Sequence, residues 1–340
     1  MKTDALATLL GLDDLAGQLV DVEVALGQAL RSDNAYLSDP GLRVVEGGGK
    51  RLRPVLTIAS AAAVAPDDFW DHRVRSGAVS VELVHVGSLV HDDIIDAADE
   101  RRGVPTVNHI EGPSHAILVG DYLLARAGVE AARVSKEVAE VLAQTIADLC
   151  DGQSRETVDL FNVDREVDSM LRSVRGKTAA LMRASCRIGA LCTGRTGEPV
   201  DALTRFGEAF GMAFQIVDDV LDIVSTTRAM GKPVGHDMKE GVYTLPVLYA
   251  LRSKGGDRLR SRLGGLIDDP ASIAELLELV KANGAVEQAL EVARAFNRTA
   301  ADALDTLDDS PVVAGLSKLP AAYLEWALSE KTAGTYTLVG

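Results

Sequence analysis

Residues 15–30, LAGQLVDVEVALGQAL, set Leu15, Leu19, Val22, Leu26 and Leu30 three or four apart, the spacing that lines one face of an α-helix. Stripes of the same period recur to the C-terminus, and alternating β-type runs bounded by turn residues are scarce. Proline breaks helix interiors, and none occurs between Pro113 and Pro199 or between Pro199 and Pro233, so both spans can hold long helices. Breaks fall at Gly47-Gly48-Gly49, Arg102-Gly103-Val104-Pro105, Gly112-Pro113, Gly194 to Pro199, Gly231 to Gly241 and Gly255-Gly256. None is long enough for an interdomain linker. The pattern predicts an all-α chain whose residues 1–340 form a single domain of many helices.

The net charge of -15 argues against nucleic acid as a partner. An anionic ligand would need cations gathered locally or metal ions as bridges. Cys150, Cys186 and Cys192 are odd in number and have no histidine near them, which speaks against a zinc site or a disulfide framework. They read as reduced core thiols. The N-terminus carries Asp4, Asp13 and Asp14 and lacks a basic-then-apolar signal pattern. No apolar run approaches the roughly 18 residues of a membrane span. The expectation is a cytoplasmic protein with at most peripheral membrane contact.

Two aspartate clusters stand out, Asp92-Asp93-Ile94-Ile95-Asp96 and Asp218-Asp219-Val220-Leu221-Asp222. Residues four apart share a helix face, so Asp92 pairs with Asp96 and Asp218 with Asp222, at a cost in repulsion. A hard cation such as magnesium (Mg2+), which takes a few carboxylates together with water and phosphate oxygens, would remove that cost. One such motif reads equally well as a solvated helix end. Two copies, each set in apolar sequence, are harder to explain that way, because carboxylates in such company are seldom buried without a partner.

Cations lie close to the acids in sequence. Gly48-Gly49-Lys50-Arg51-Leu52-Arg53-Pro54 puts three basic residues after a glycine turn at a predicted helix start, which suits a diphosphate; the plain alternative is a basic loop. Arg101-Arg102-Gly103 follows the first cluster, and Lys177-Thr178 and Lys232 are further candidates. His85 lies two helical turns before Asp92 on nearly the same face, where it serves either structure or a ligand. His91 points about 100° away from Asp92, and packing suits it equally.

These motifs, with Glu82 to His85, Gly120-Asp121-Tyr122-Leu123-Leu124, Phe214-Gln215-Ile216-Val217, Gly231-Lys232-Pro233 and Thr244-Leu245-Pro246, closely resemble the polyprenyl synthetases and follow the family order. The resemblance implies an isoprenoid synthase-type bundle of a dozen or more antiparallel helices around a deep central cavity, usually as a homodimer. It implies a trans-isoprenyl diphosphate synthase that condenses isopentenyl diphosphate with an allylic diphosphate. Three Mg2+ ions per site are implied with substrate bound. Carried over residue by residue, Asp92, Asp96 and Asp218 would ligate metal, with Asp93, Asp219 and Asp222 in support. Lys50, Arg53, His85 and Arg102 would hold isopentenyl diphosphate. Arg101, Lys177 and Lys232 would hold the allylic diphosphate, and Thr178 and Gln215 would turn oxygen atoms to the allylic cation.

Three positions depart from the family. A glutamine of the allylic site is replaced by Glu156, a frequent lysine by Val242, and the basic residue of the last helix is not evident near Glu330 and Lys331. An acid gained and a lysine lost should weaken allylic diphosphate binding, with Arg155 or Lys239 as compensating cations.

Farnesyl-producing relatives carry an aromatic five residues before the first aspartate as a floor to the product tail. Here that residue is Gly87, about 7.5 Å below Asp92, flanked by Ser88, with Val84 and Val81 next on the face. A glycine there is expected to leave the cavity open, giving a product beyond C15, with C30–C50 favoured and C20 within range. The competing functions are a class I terpene cyclase, which needs no isopentenyl diphosphate site, and a non-catalytic subunit of a heteromeric synthase, which usually loses aspartates.

Overall fold

A computed structural model of the protein describes residues 1–101, 103–226, 234–267 and 269–332. Helices follow one another in the order α1 (Thr3–Leu10), α2 (Leu15–Ala29), α3 (Ala35–Glu46), α4 (Leu52–Val64), α5 (His72–Ile95), α6 (Val107–Glu111), α7 (Pro113–Val134), α8 (Lys136–Val158), α9 (Val167–Val174), α10 (Ala180–Cys192) and α11 (Glu198–Val224). Among the described residues six more come after, ending with Pro311–Lys331. Among the described residues the only strands are β1 (Glu100–Arg101) and β2 (Val104–Pro105), an antiparallel two-residue pair. The all-α expectation holds, and the opening stripe becomes α2, with Leu15, Val22 and Leu26 buried on one face.

The chain divides into two compact units, Met1–Ala147 with Leu181–Gly207 and Ala303–Leu316, and Asp148–Ala180 with Glu208–Asp302 and Ser317–Gly340. In the first, α4 is apolar or small all round and is buried without a break from Pro54 to Val64, as an interior helix must be. It takes α10 at close range through Gly189, where a Cβ would stand 2.2 Å from the Thr57 carbonyl oxygen. Gly77 of α5 likewise makes room for Ile188 and the Cys192 sulfur. Each Leu, Ile or Val buried in this way contributes roughly 1.5–3 kcal/mol. Cys186 and Cys192 are core thiols, and burial pushes both up to about 12. Cys150 corrects the sequence reading: it lies on an exposed face of α8.

In the second unit a π-helical turn, Arg175–Ala179, interrupts the run from α9 to α10. Glycines decide its position. A Cβ on Gly152 would stand 2.3 Å from the Lys177 nitrogen, and one on Gly176 would stand 2.7 Å from the Asp148 carbonyl oxygen. Backbone therefore meets backbone, and the side chains of Glu156 and Lys177 arrive on adjoining turns.

Candidate active site

The first aspartate cluster is the C-terminal turn of α5. The helix closes with Ala98 N–H donating to Asp93 O (2.9 Å) and Ala97 N–H to Ile94 O (3.3 Å), the paired bonds of a Schellman ending. That ending puts Ala97 at φ 49°, a conformation glycine usually supplies. Acids at a helix C-terminus oppose its dipole, so cations are needed nearby. One comes from β1: Arg101 Nε donates to Asp93 Oδ1 at 2.7 Å. Asp93 is buried while Asp96 is exposed. Burial pushes the Asp93 carboxyl up, Arg101 opposes it, and Asp96 adds to the rise.

An open pocket with about 560 Å³ of empty space lies in this unit, lined in part by Gly48, Arg51, Glu82, His85, Asp93 and Arg101. Arg51, one of the three basic residues of the glycine-turn motif, turns instead to partners within the chain. It takes φ 47° at the start of α4, which turns its side chain inward. Its guanidinium donates to Glu82 Oε1 (2.8 Å), to Val45 O (2.8 Å) and to both Glu23 carboxylate oxygens. Burial alone would lower the Arg51 pKa, but Glu23 and Glu82 more than reverse it. Lys50 is exposed and Arg53 half-buried on either side of it, and neither lines the pocket. His85 and Arg101 do line it, while Arg102 lies outside the described residues. His91 packs beside α7, its Nε2 3.3 Å from Ile117 O.

A Cβ built on Gly87 would meet Leu123 Cβ and Leu124 Cδ2 at 3.2 Å and Gly120 O at 3.3 Å. The expected open space at this position is therefore corrected: Gly87 abuts α7, and two leucines meet any side chain placed there. Val84 is fully buried, and Ser88 Oγ donates to His85 O at 2.9 Å.

The second unit carries the other cluster near the end of α11. Thr178 Oγ1 donates to Gln215 Oε1 (2.7 Å), and Gln215 Nε2 donates to Asp219 Oδ1 (2.8 Å), so three predicted residues form one chain. Lys177 Nζ stands 2.6 Å from Glu156 Oε1. Asp218 Oδ1 accepts from the Tyr323 hydroxyl at 2.9 Å. Asp222 is buried and accepts from the N–H groups of His236 (3.3 Å) and Asp237 (3.2 Å), which fixes the start of helix His236–Lys239. Of the departures, Glu156 is the partner of Lys177 and Val242 donates its N–H to Asp237 O; of the compensating cations, Arg155 pairs with Asp151 on the surface and Lys239 is exposed. Lys232 lies outside the described residues.

The donors suit a hard divalent cation. Asp219 is buried, its Oδ2 has no hydrogen-bond partner, and its pKa is pushed well up by burial and by Asp237, then by Asp218 and Glu156, against the opposing Gln215. Added positive charge is what such a cluster lacks. Among the described residues no group of three His, Cys, Asp or Glu side chains is placed to hold a metal ion by itself.

The family model for polyprenyl synthetase matches residues 34–281, most of the chain. The chain belongs to the polyprenyl synthetase family. This polyprenyl synthetase is 41% identical over 293 residues to the nonaprenyl diphosphate synthase of Mycobacterium tuberculosis, covering 85% of this chain and 87% of the relative. It is 37% identical over 290 residues to heptaprenyl diphosphate synthase component 2 of Bacillus subtilis, covering 84% and 81%. Its fold resembles the polyprenyl synthase of Caulobacter crescentus solved with calcium and isoprenyl diphosphate, with a TM-score of 0.87, 28% identity and coverage of 97% and 99%. The polyprenyl synthetase is thus an all-α isoprenoid synthase and a prenyltransferase. Its matched span contains both aspartate clusters, the glycine turn before Lys50 and the π-helical turn at Lys177.

Proposed function

We propose that this prenyltransferase is a magnesium-dependent trans-isoprenyl diphosphate synthase that joins isopentenyl diphosphate head to tail (1′-4) to an allylic diphosphate. The observation that carries the reading is the Thr178–Gln215–Asp219 chain, with Lys177 in the adjoining turn and an uncompensated Asp219 oxygen at its end. The two units act as one domain, a reading supported by a family match that runs through both.

Each group has a role that its chemistry permits. Arg101, Lys177 and Lys232 hold the allylic diphosphate, while Lys50, Arg53, His85 and Arg102 hold isopentenyl diphosphate. Asp92, Asp96 and Asp218 hold Mg2+, supported by Asp93, Asp219 and Asp222. When bound, the metal supplies positive charge against the diphosphate that departs as the C–O bond ionises. Lys177 adds to that effect at a fixed position. Thr178 and Gln215 turn their oxygens to the allylic cation, and the double bond of isopentenyl diphosphate attacks it at close range. The released pyrophosphate takes the proton lost from C2 of the isopentenyl unit.

The product is longer than C15, with C30–C50 favoured; the names of the nonaprenyl and heptaprenyl relatives support this length. Gly87, Val84 and Ser88 are the positions that control product length, with Leu123 and Leu124 of α7 packed against Gly87. Gly87→Phe should shorten the product and lower the melting temperature, because the ring must displace α7 leucines. Purified chain given isopentenyl diphosphate, Mg2+ and allylic starters of graded length, with products sized by mass spectrometry, tests the function.

A second reading has one observation in its favour, the 37% identity to a protein named as component 2 of a synthase. On that reading the chain works with a different subunit in place of forming a homodimer, and the chain purified alone stays inactive. For location, a cytoplasmic enzyme with at most peripheral membrane contact is the proposal; no helix of the described residues is long and apolar enough to cross a membrane.

A further inference from the structure

The chain has only six Phe, six Tyr and two Trp, and four of these aromatics gather between α11 and helix Pro311–Lys331. Phe210, Phe214 and Asp218 lie four apart along α11, on one face. Tyr323, from helix Pro311–Lys331, lies along that face. Its ring stacks on Phe214 (centroids 4.6 Å apart, planes at 19°) and meets the edge of Phe210 at 6.2 Å. Trp326, one turn on, tilts against it at 5.9 Å. Tyr323 is 7% exposed, so the ring is clamped and its hydroxyl is delivered to Asp218 Oδ1 at 2.9 Å.

We infer that Tyr323 is a positioning residue for metal binding: through its hydroxyl it sets the plane of the Asp218 carboxylate, so that the cation finds the ligand already oriented. The inference rests on the proposed role of Asp218 as a ligand. A packed aromatic with two torsions holds its hydroxyl at little entropic cost, and a hydrogen bond to an ionised carboxylate is among the stronger ones. Apolar packing alone accounts for the ring but not for a hydroxyl aimed at a carboxylate 105 residues away in sequence. A ligand oriented by its neighbours is the usual means by which a protein tightens a metal site.

Tyr323→Phe keeps the ring stack and removes only the hydroxyl, so the metal-free melting temperature checks the fold. Binding of Mg2+ with inorganic pyrophosphate is then followed by calorimetry in wild type, Y323F, D218N and the double variant. Y323F should need on the order of tenfold more Mg2+ for half-saturation, the size expected for a charged hydrogen bond lost. In the D218N background Y323F should change nothing further, which a purely structural role would not produce. Y323F binding like wild type, while D218N binds weakly, overturns this inference and leaves the function proposed above intact. D218N binding like wild type removes Asp218 as a ligand and overturns this inference with that assignment.

Discussion

Lys177 Nζ lies 2.6 Å from Glu156 Oε1, so the cation expected to meet the leaving diphosphate already has an anion of the chain's own as its neighbour. A close approach of α8 to the π-helical turn, made possible by Gly152 and Gly176, brings the two together. Any diphosphate that uses Lys177 must share or replace that carboxylate. Glu156→Gln should therefore lower KM for the allylic diphosphate several-fold. Lys177→Gln should raise KM and depress kcat by 10²-fold or more, the scale of losing one preorganised charge at a developing anion. Steady-state kinetics at saturating isopentenyl diphosphate reads both; an E156Q enzyme with unchanged KM contradicts the competition.

Arg51 should be worth more to the fold than to the chemistry. It is buried, and Glu82, its 2.8 Å partner, is only 2% exposed. Arg51→Met leaves Glu82 as a buried charge without its counter-ion, at a cost of about 3–5 kcal/mol. Pairing it with Glu82→Gln should recover part of the loss. Lys50→Ala, at an exposed position, should leave urea stability unchanged and raise KM for isopentenyl diphosphate.

Asp219→Asn should make the metal-free protein more stable and the enzyme inactive. The Asp219 carboxyl is raised well above the usual range by burial and by Asp237. A raised acid prefers its proton in the folded state, so it costs stability at pH values above its unfolded pKa, and that cost fades as pH falls towards that value. The amide removes the cost and keeps an oxygen for Gln215. A metal-free melting temperature that falls in D219N contradicts this account of the cluster.

Asp159 has the opposite sign. Its burial raises the pKa, but bonds from Ser169, Asn162 and Arg165 outweigh that and hold it below the usual range. A lowered acid adds stability that is complete above its unfolded pKa of about 3.9 and is lost as pH falls through the folded value. Urea midpoints between pH 5 and pH 3 should drop less steeply in Asp159→Asn than in wild type. At pH 7 the variant should be about 1–3 kcal/mol less stable, the range for bonds to a charged group.

Much of this was legible in the sequence because period and spacing act locally. Leu15 to Leu30 announced a helix, and Asp218 and Asp222 announced a shared face. The family resemblance turned both Thr178 and Gln215 to the allylic cation, and in the structure they bond each other directly, with Asp219 at the end of the chain. Arg51 was not legible, because a basic residue between Lys50 and Arg53 turns inward only through its φ of 47°. Gly87 was half legible: its place on α5 was clear, but the α7 leucines facing it depend on packing. Tyr323 gave no signal at all, since its partner lies 105 residues away and no spacing rule joins them. Asp222 spends its carboxylate on the His236 and Asp237 N–H groups, a cap that a DDxxD pattern does not reveal.

The most direct test of the central claim is incubation of the purified chain with isopentenyl diphosphate, Mg2+ and dimethylallyl, geranyl, farnesyl or geranylgeranyl diphosphate, with products sized by mass spectrometry. The account predicts products that grow by whole five-carbon units past C15, with the longest major species between C30 and C50, and no growth when Mg2+ is chelated. Cyclised hydrocarbon without elongation, or no elongation from any starter by folded protein with metal present, would contradict it.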